Sequence, residues 1–143
     1  MVHNLPSQYQ QIGSSNQMLG RVLSNTPFSI YASAARTTAQ TGSDLTNYGQ
    51  KGVIVIIDIT AVAGTPSLTF TIEGKDSTSG KYYTILASAA LTGTGTTKLV
   101  VYPGITTGAN AAINHPLPRV WRVNVAVGTA DSVTYSVGAH PIR

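Results

Sequence analysis

The chain has no cysteine, which removes disulfides and thiolate metal sites from any account of it. Charge is scarce as well: nine Lys and Arg stand against five Asp and Glu in 143 residues, and the first acidic residue is Asp44. The basic residues are scattered without a Lys/Arg cluster. The net charge of +4 therefore leaves no electrostatic footprint of a nucleic-acid binder. No uninterrupted apolar stretch reaches the about 20 residues that a membrane-spanning helix needs. The opening Met-Val-His-Asn-Leu-Pro-Ser-Gln lacks the basic and apolar regions of a secretory signal. The expectation is a protein made and kept in the cytosol until something else carries it out.

Groupings that carry chemistry are also missing. His3, His115 and His140 stand apart at no ligand spacing, so no metal site is expected. Asp76-Ser-Thr-Ser-Gly80 lacks the repeated carboxylates and closing Glu of a calcium loop and reads as a turn. Acid/base work would have to draw on Glu73 and four aspartates, Asp44, Asp58, Asp76 and Asp131, most of them at turns or strand edges. No serine sits in a Gly-x-Ser-x-Gly elbow. Gly93-Thr-Gly95 precedes a strand, whereas a phosphate cradle opens a helix. Neither an enzyme nor a cofactor is expected.

What the chain does hold is Thr, Gly and alternating Val and Ile, a composition that suits strands and tight turns. The clearest stretch is Arg119 to Val137. Trp121, Val123, Val125 and Val127 share one parity; after Gly128-Thr-Ala-Asp131, Val133, Tyr135 and Val137 repeat the pattern. Side chains two apart share a strand face, which predicts a hairpin with one apolar side around the single tryptophan. Gly52 to Thr60 is the most apolar run. It predicts a central strand covered on both faces, or on one face by the fold and on the other by a partner, with Asp58 arguing against complete burial.

Further strands are predicted at Phe28–Ala32, Ser67–Glu73, Lys81–Leu86 and Thr96–Tyr102, and a long loop from Pro103 to Pro118 that crosses between sheets. About seven regularly spaced strands make an all-β antiparallel sandwich or jelly roll over residues 27–143. Residues 1–26, rich in Gln, Asn and Ser, read as an extended N-terminal arm. Within it Met18, Leu19, Val22 and Leu23 fall on one helical face, with Asn16 as an N-cap and Gly20 weakening the pattern. Such a segment either closes the end of the sandwich or reaches a neighbouring subunit. Of the tyrosines, Tyr82 and Tyr83 are adjacent and face opposite ways, and Tyr102 closes a strand; each packs at an edge or offers a ring to a ligand.

From Leu68 onward, the strand ending Ile-Glu-Gly-Lys-Asp, the Ser-Gly turn followed by Lys-Tyr-Tyr, the Pro-Arg-Val-Trp-Arg-Val strand and the final Ser-Val-Thr-Tyr-Ser-Val resemble small β-sandwich proteins among the structural genes of tailed bacteriophages. The resemblance covers about the last half of the chain and carries no catalytic motif. It implies a virion protein, most like a head decoration or cement protein: a homo-oligomer on the capsid exterior that clamps neighbouring major capsid subunits, assembled in the host cytoplasm. On that reading the contacts fall on Tyr9, Ile12, Met18, Leu19, Arg21 and Leu23 of the arm, then on Arg119 and Arg122. The alternatives are a carbohydrate-binding or adhesin module that presents Tyr82 or Tyr102 to a host-surface glycan, and a tail-tube or tail-completion protein.

Overall fold

The computed structural model describes residues 25–143. The arm positions Tyr9, Ile12, Met18, Leu19, Arg21 and Leu23 lie outside the described residues. In chain order the strands are β1 (Phe28–Arg36), β2 (Leu45–Thr46), β3 (Gly52–Val62), β4 (Ser67–Lys75), β5 (Tyr82–Ala87), β6 (Gly95–Val101), β7 (Ala112–Ile113), β8 (Val120–Thr129) and β9 (Val133–Ile142). They make two sheets, β1-β9-β3-β6-β7 and β2-β8-β4-β5, here called sheet A and sheet B. All pairings are antiparallel except the two-residue β6–β7 contact. The fold is an all-β sandwich, as its alternating sequence predicts.

The alternation places the core. Val53, Val55, Ile57 and Ile59 of β3, Leu99 and Val101 of β6 and Val133, Tyr135, Val137 and Ala139 of β9 point inward from sheet A; Leu68, Phe70, Ile72, Trp121, Val123 and Val125 answer from sheet B. The register of β5 against β4 slips between Ile72 and Glu73, leaving Ile85 as the extra residue of β5. This bulge turns both Ile85 and Leu86 into the core. Phe70 meets the Tyr135 ring edge-on at 5.2 Å, and Phe28 lies 6.4 Å from Trp121. Truncating a buried ring of this size costs about 3–5 kcal/mol, so these two clusters anchor the sheets to each other.

One expectation is overturned. Arg119 to Val137 is not a hairpin: β8 pairs with β4 and β2 in sheet B, while β9 pairs with β1 and β3 in sheet A. Residues 130–132 cross from one sheet to the other, so the two greasy faces look at each other across the core. The crossing runs beside the β3–β4 connection and is tied to it. Asp131 Oδ2 accepts from Thr65 N at 2.8 Å, Thr129 Oγ1 donates to the Thr65 carbonyl at 2.8 Å, and Ala63 N donates to the Ser132 carbonyl. A side chain on Gly64, whose φ is +72°, would strike the Asp131 carboxylate.

β1 extends past the predicted Ala32 to Arg36, with register shifts between Ser29 and Tyr31 and between Tyr31 and Ala34. The Arg36 guanidinium stitches the second irregularity. It donates to the carbonyls of Ala32, Ala34 and Tyr135 at 2.7, 3.2 and 2.9 Å and lies 4.5 Å over the Tyr135 ring. The long loop does carry the chain from sheet A to sheet B, but it also contributes β7. Residues 37–44 run back along β8, where Gln40 and Val125 exchange two main-chain bonds of 2.9 Å.

Candidate interaction surfaces

The outward side chains of sheet B form one polar network. Glu73 and Arg122 are cross-strand partners, as are Thr71 and Asn124. Glu73 Oε2 accepts from Arg122 Nε at 2.6 Å and from Asn124 Nδ2 at 2.8 Å, and Asn124 Oδ1 accepts from Gly42 N. Beside it Asp44 takes Lys75 Nζ at 2.7 Å and the Tyr82 hydroxyl. These bonds, first from Lys75 and then from Tyr82, hold the Asp44 carboxyl below the ordinary aspartate range. Arg122 also caps the Tyr82 ring, 3.3 Å from its centroid, with Lys75 at 5.2 Å. Next to Glu73 and Asn124 a shallow recess of about 300 Å³ is walled by Ala39, Gln40, Thr41 and Ala126.

Arg122 is thus committed to a carboxylate and a ring within its own sheet. Both partners of its ion pair are mostly covered, 16% and 18% exposed. Arg119 behaves differently: it is exposed and lies over the Tyr48 ring at 5.5 Å. Tyr82 and Tyr83 do point opposite ways. Tyr83 spreads across Gly74, whose missing side chain leaves its place. The Tyr102 ring similarly closes over Gly52.

Exposed apolar surface collects at one end of the sandwich. Among the described residues the exposed large apolar side chains are Phe28, Tyr48, Tyr83 and Val62, at 40%, 51%, 42% and 37%. Register places the first three together: Phe28 touches Trp121, Trp121 and Tyr83 both lie opposite Gly74, and Tyr48 follows β2, whose Leu45 also pairs with Trp121. His115 reaches the same end, 6.4 Å from the Tyr83 ring. Asn25, the first described residue, is there too, its Oδ1 taking Arg143 N at 3.0 Å.

The outward side of sheet A is different again. The rows that cross β3 read Val100–Ile54–His140 and Lys98–Ile56–Gly138, then Thr96–Asp58–Ser136. Ile54, Ile56 and Val100 are partly exposed, so the described residues leave the second face of the Val/Ile strand only partly covered. The sequence raised this outcome for β3 but did not show which strands would flank it. His140 stands on this face and His115 at the sandwich end; no three His, Asp or Glu side chains converge among the described residues.

No protein-family model matches the chain, and no curated protein matches it.

Proposed function

We propose that the protein is a structural component of a tailed-phage particle, an oligomer on the capsid exterior that bridges neighbouring major capsid subunits. One observation carries this reading: Phe28, Tyr48 and Tyr83 are exposed together at the end of the sandwich that also holds Asn25. Large apolar side chains kept in water, in a chain that opens with a Gln- and Asn-rich segment, suit a protein that acts by contact area. Weak contacts of this kind gain strength by repetition on a symmetric lattice. Of the two rings a glycan module would present, Tyr82 is covered by Arg122 and Tyr102 closes over Gly52, which argues against that alternative.

The test is to mix the purified protein with heads of the cognate phage stripped of their outer proteins. Sedimentation with the heads and a higher temperature of head rupture are expected. Recovery of the protein only with tails, or with neither fraction, refutes the reading.

A further inference from the structure

We infer that Tyr48, Arg119 and Lys51 form a recognition site for a carboxylate-bearing segment of another protein. On the virion reading, on which this rests, that segment belongs to the major capsid subunit.

The three residues are held by one buried asparagine. Asn47 N donates to the Arg119 carbonyl at 2.7 Å, and Asn47 Nδ2 donates to the Gln50 and Leu117 carbonyls. Its Oδ1 accepts from Gly49 N and Gln50 N, and Leu117 N donates to the Lys51 carbonyl at 2.9 Å. The main chain around Tyr48 and beside Arg119 is thereby fixed, while the side chains it presents stand in water. Tyr48, 51% exposed, is the most exposed large apolar side chain among the described residues, and the Arg119 guanidinium lies over its ring at 5.5 Å. A turn held this firmly loses little freedom when it docks, and tyrosine and arginine are the side chains that most often carry binding energy at protein contacts.

Charge selects the partner. Arg119 and Lys51 are both exposed, and neither forms an ion pair with an Asp or Glu of its own chain. Among the described residues the ion pairs are Lys75–Asp44 and Arg122–Glu73, and no Asp or Glu precedes Asp44 in the sequence. A carboxylate matches the donor fork of a guanidinium with two parallel bonds. A second copy has none to spare, because each of the five side-chain carboxylates already accepts within its own chain. Asp44 takes Lys75 and Tyr82, Asp58 takes Thr96, Glu73 takes Arg122 and Asn124, Asp76 takes Thr78 and Ser79, and Asp131 takes Thr65. A pair of cations beside apolar rings also falls short of a nucleic-acid backbone, which takes a row of phosphate contacts.

The experiment measures binding of the full chain to stripped cognate heads for wild type, Arg119→Gln, Lys51→Gln, Tyr48→Ala and Lys98→Gln. Lys98 is an exposed cation on the outward side of sheet A, so its variant loses the same charge elsewhere. Urea midpoints verify that each variant folds; Arg119 meets Asn47 through its main chain, which glutamine keeps. Wild type and Lys98→Gln should bind alike. Arg119→Gln and Tyr48→Ala should each bind roughly tenfold more weakly, and Lys51→Gln about threefold. Arg119→Gln should also show a shallower salt dependence. Heads whose carboxylates have been amidated with carbodiimide and glycinamide should no longer retain wild type. Undiminished binding by Arg119→Gln, an equal loss in Lys98→Gln, or wild-type binding untouched by amidation overturns the inference and leaves the virion reading intact. Wild type that ignores untreated heads overturns both. Binding that nuclease removes assigns the site to nucleic acid and overturns the acidic-protein contact.

Discussion

Replacing Tyr135 by phenylalanine should make the protein more stable. Tyr135 is fully buried, and its hydroxyl has no hydrogen-bond partner among the described residues. Arg36 lies over the ring face and donates to main-chain carbonyls, the Tyr135 carbonyl among them; it favours the ionised hydroxyl but makes no hydrogen bond to the neutral one. The ring does the packing, edge-on to Phe70 and to Tyr31, and phenylalanine keeps every one of those contacts. A buried unpaired polar group costs about 1–3 kcal/mol, so its removal should return about 1 kcal/mol. With an m-value of about 1–3 kcal/mol per molar urea, the unfolding midpoint should rise by roughly 0.5 M. Tyr135→Ala, which removes the ring, should instead lose about 3–5 kcal/mol. A second signature is alkaline. Burial raises the Tyr135 ionisation above its ordinary value of 10.0, with Arg36 opposing the rise. A raised folded value means that stability present below that pH is lost as the pH climbs through the folded value. Phenylalanine removes this share, so the variant's advantage should widen above pH ~10. If Tyr135→Phe costs more than about 1 kcal/mol, the hydroxyl has a partner and the reasoning fails.

Three other perturbations test other parts of the account. Asp44→Asn should flatten the acid limb of stability: the depressed Asp44 value means its contribution holds above the ordinary carboxyl range and is lost as pH falls through the folded value, which a urea midpoint series at falling pH reads directly. Gly42→Ala should destabilise, since a methyl there would stand 2.2 Å from the Val123 carbonyl oxygen; a thermal midpoint equal to wild type would show that residues 37–44 are free to lift off β8. Asn47→Asp should cost about 2 kcal/mol or more, because the buried Asn47 amide donates to the Gln50 and Leu117 carbonyls at 2.9 Å each and a carboxylate would face both; partial recovery at low pH is the accompanying sign.

Strand positions and faces were legible because water on one side and core on the other write a period of two directly into residues 67–73 and 119–137. Partnership was not. A short link such as residues 130–132 serves a hairpin or spans the roughly 10 Å between packed sheets, and what distinguishes them is the bond from Thr65 to Asp131, 66 positions apart. Arg122 shows the same limit at the surface. Its parity places it on an outward face, but its commitment depends on Glu73, 49 residues upstream, and on a tyrosine of a strand it does not pair with. Asn47 gave no signal at all: in Leu-Thr-Asn-Tyr-Gly-Gln it reads as a turn residue, yet it is buried and its side chain makes four hydrogen bonds.

The Gly52–Thr60 run separates two demands that one sequence can hide. A strand flanked by two others needs β-branched residues to fill a pleated surface, and isoleucine meets that need on either face. Ile54 and Ile56 could therefore serve the sheet alone. Threonine meets the same backbone demand without the apolar body, and β3 already uses it at Thr60. The inward set, Val53, Val55, Ile57 and Ile59, carries the burial that holds the two sheets together. Changing the two outward isoleucines to threonine should then move the urea midpoint little, while any role that depends on their apolar surface is lost. A large stability loss in that variant would mean that the outer face belongs to the fold; a small one leaves contact as the reason for isoleucine there.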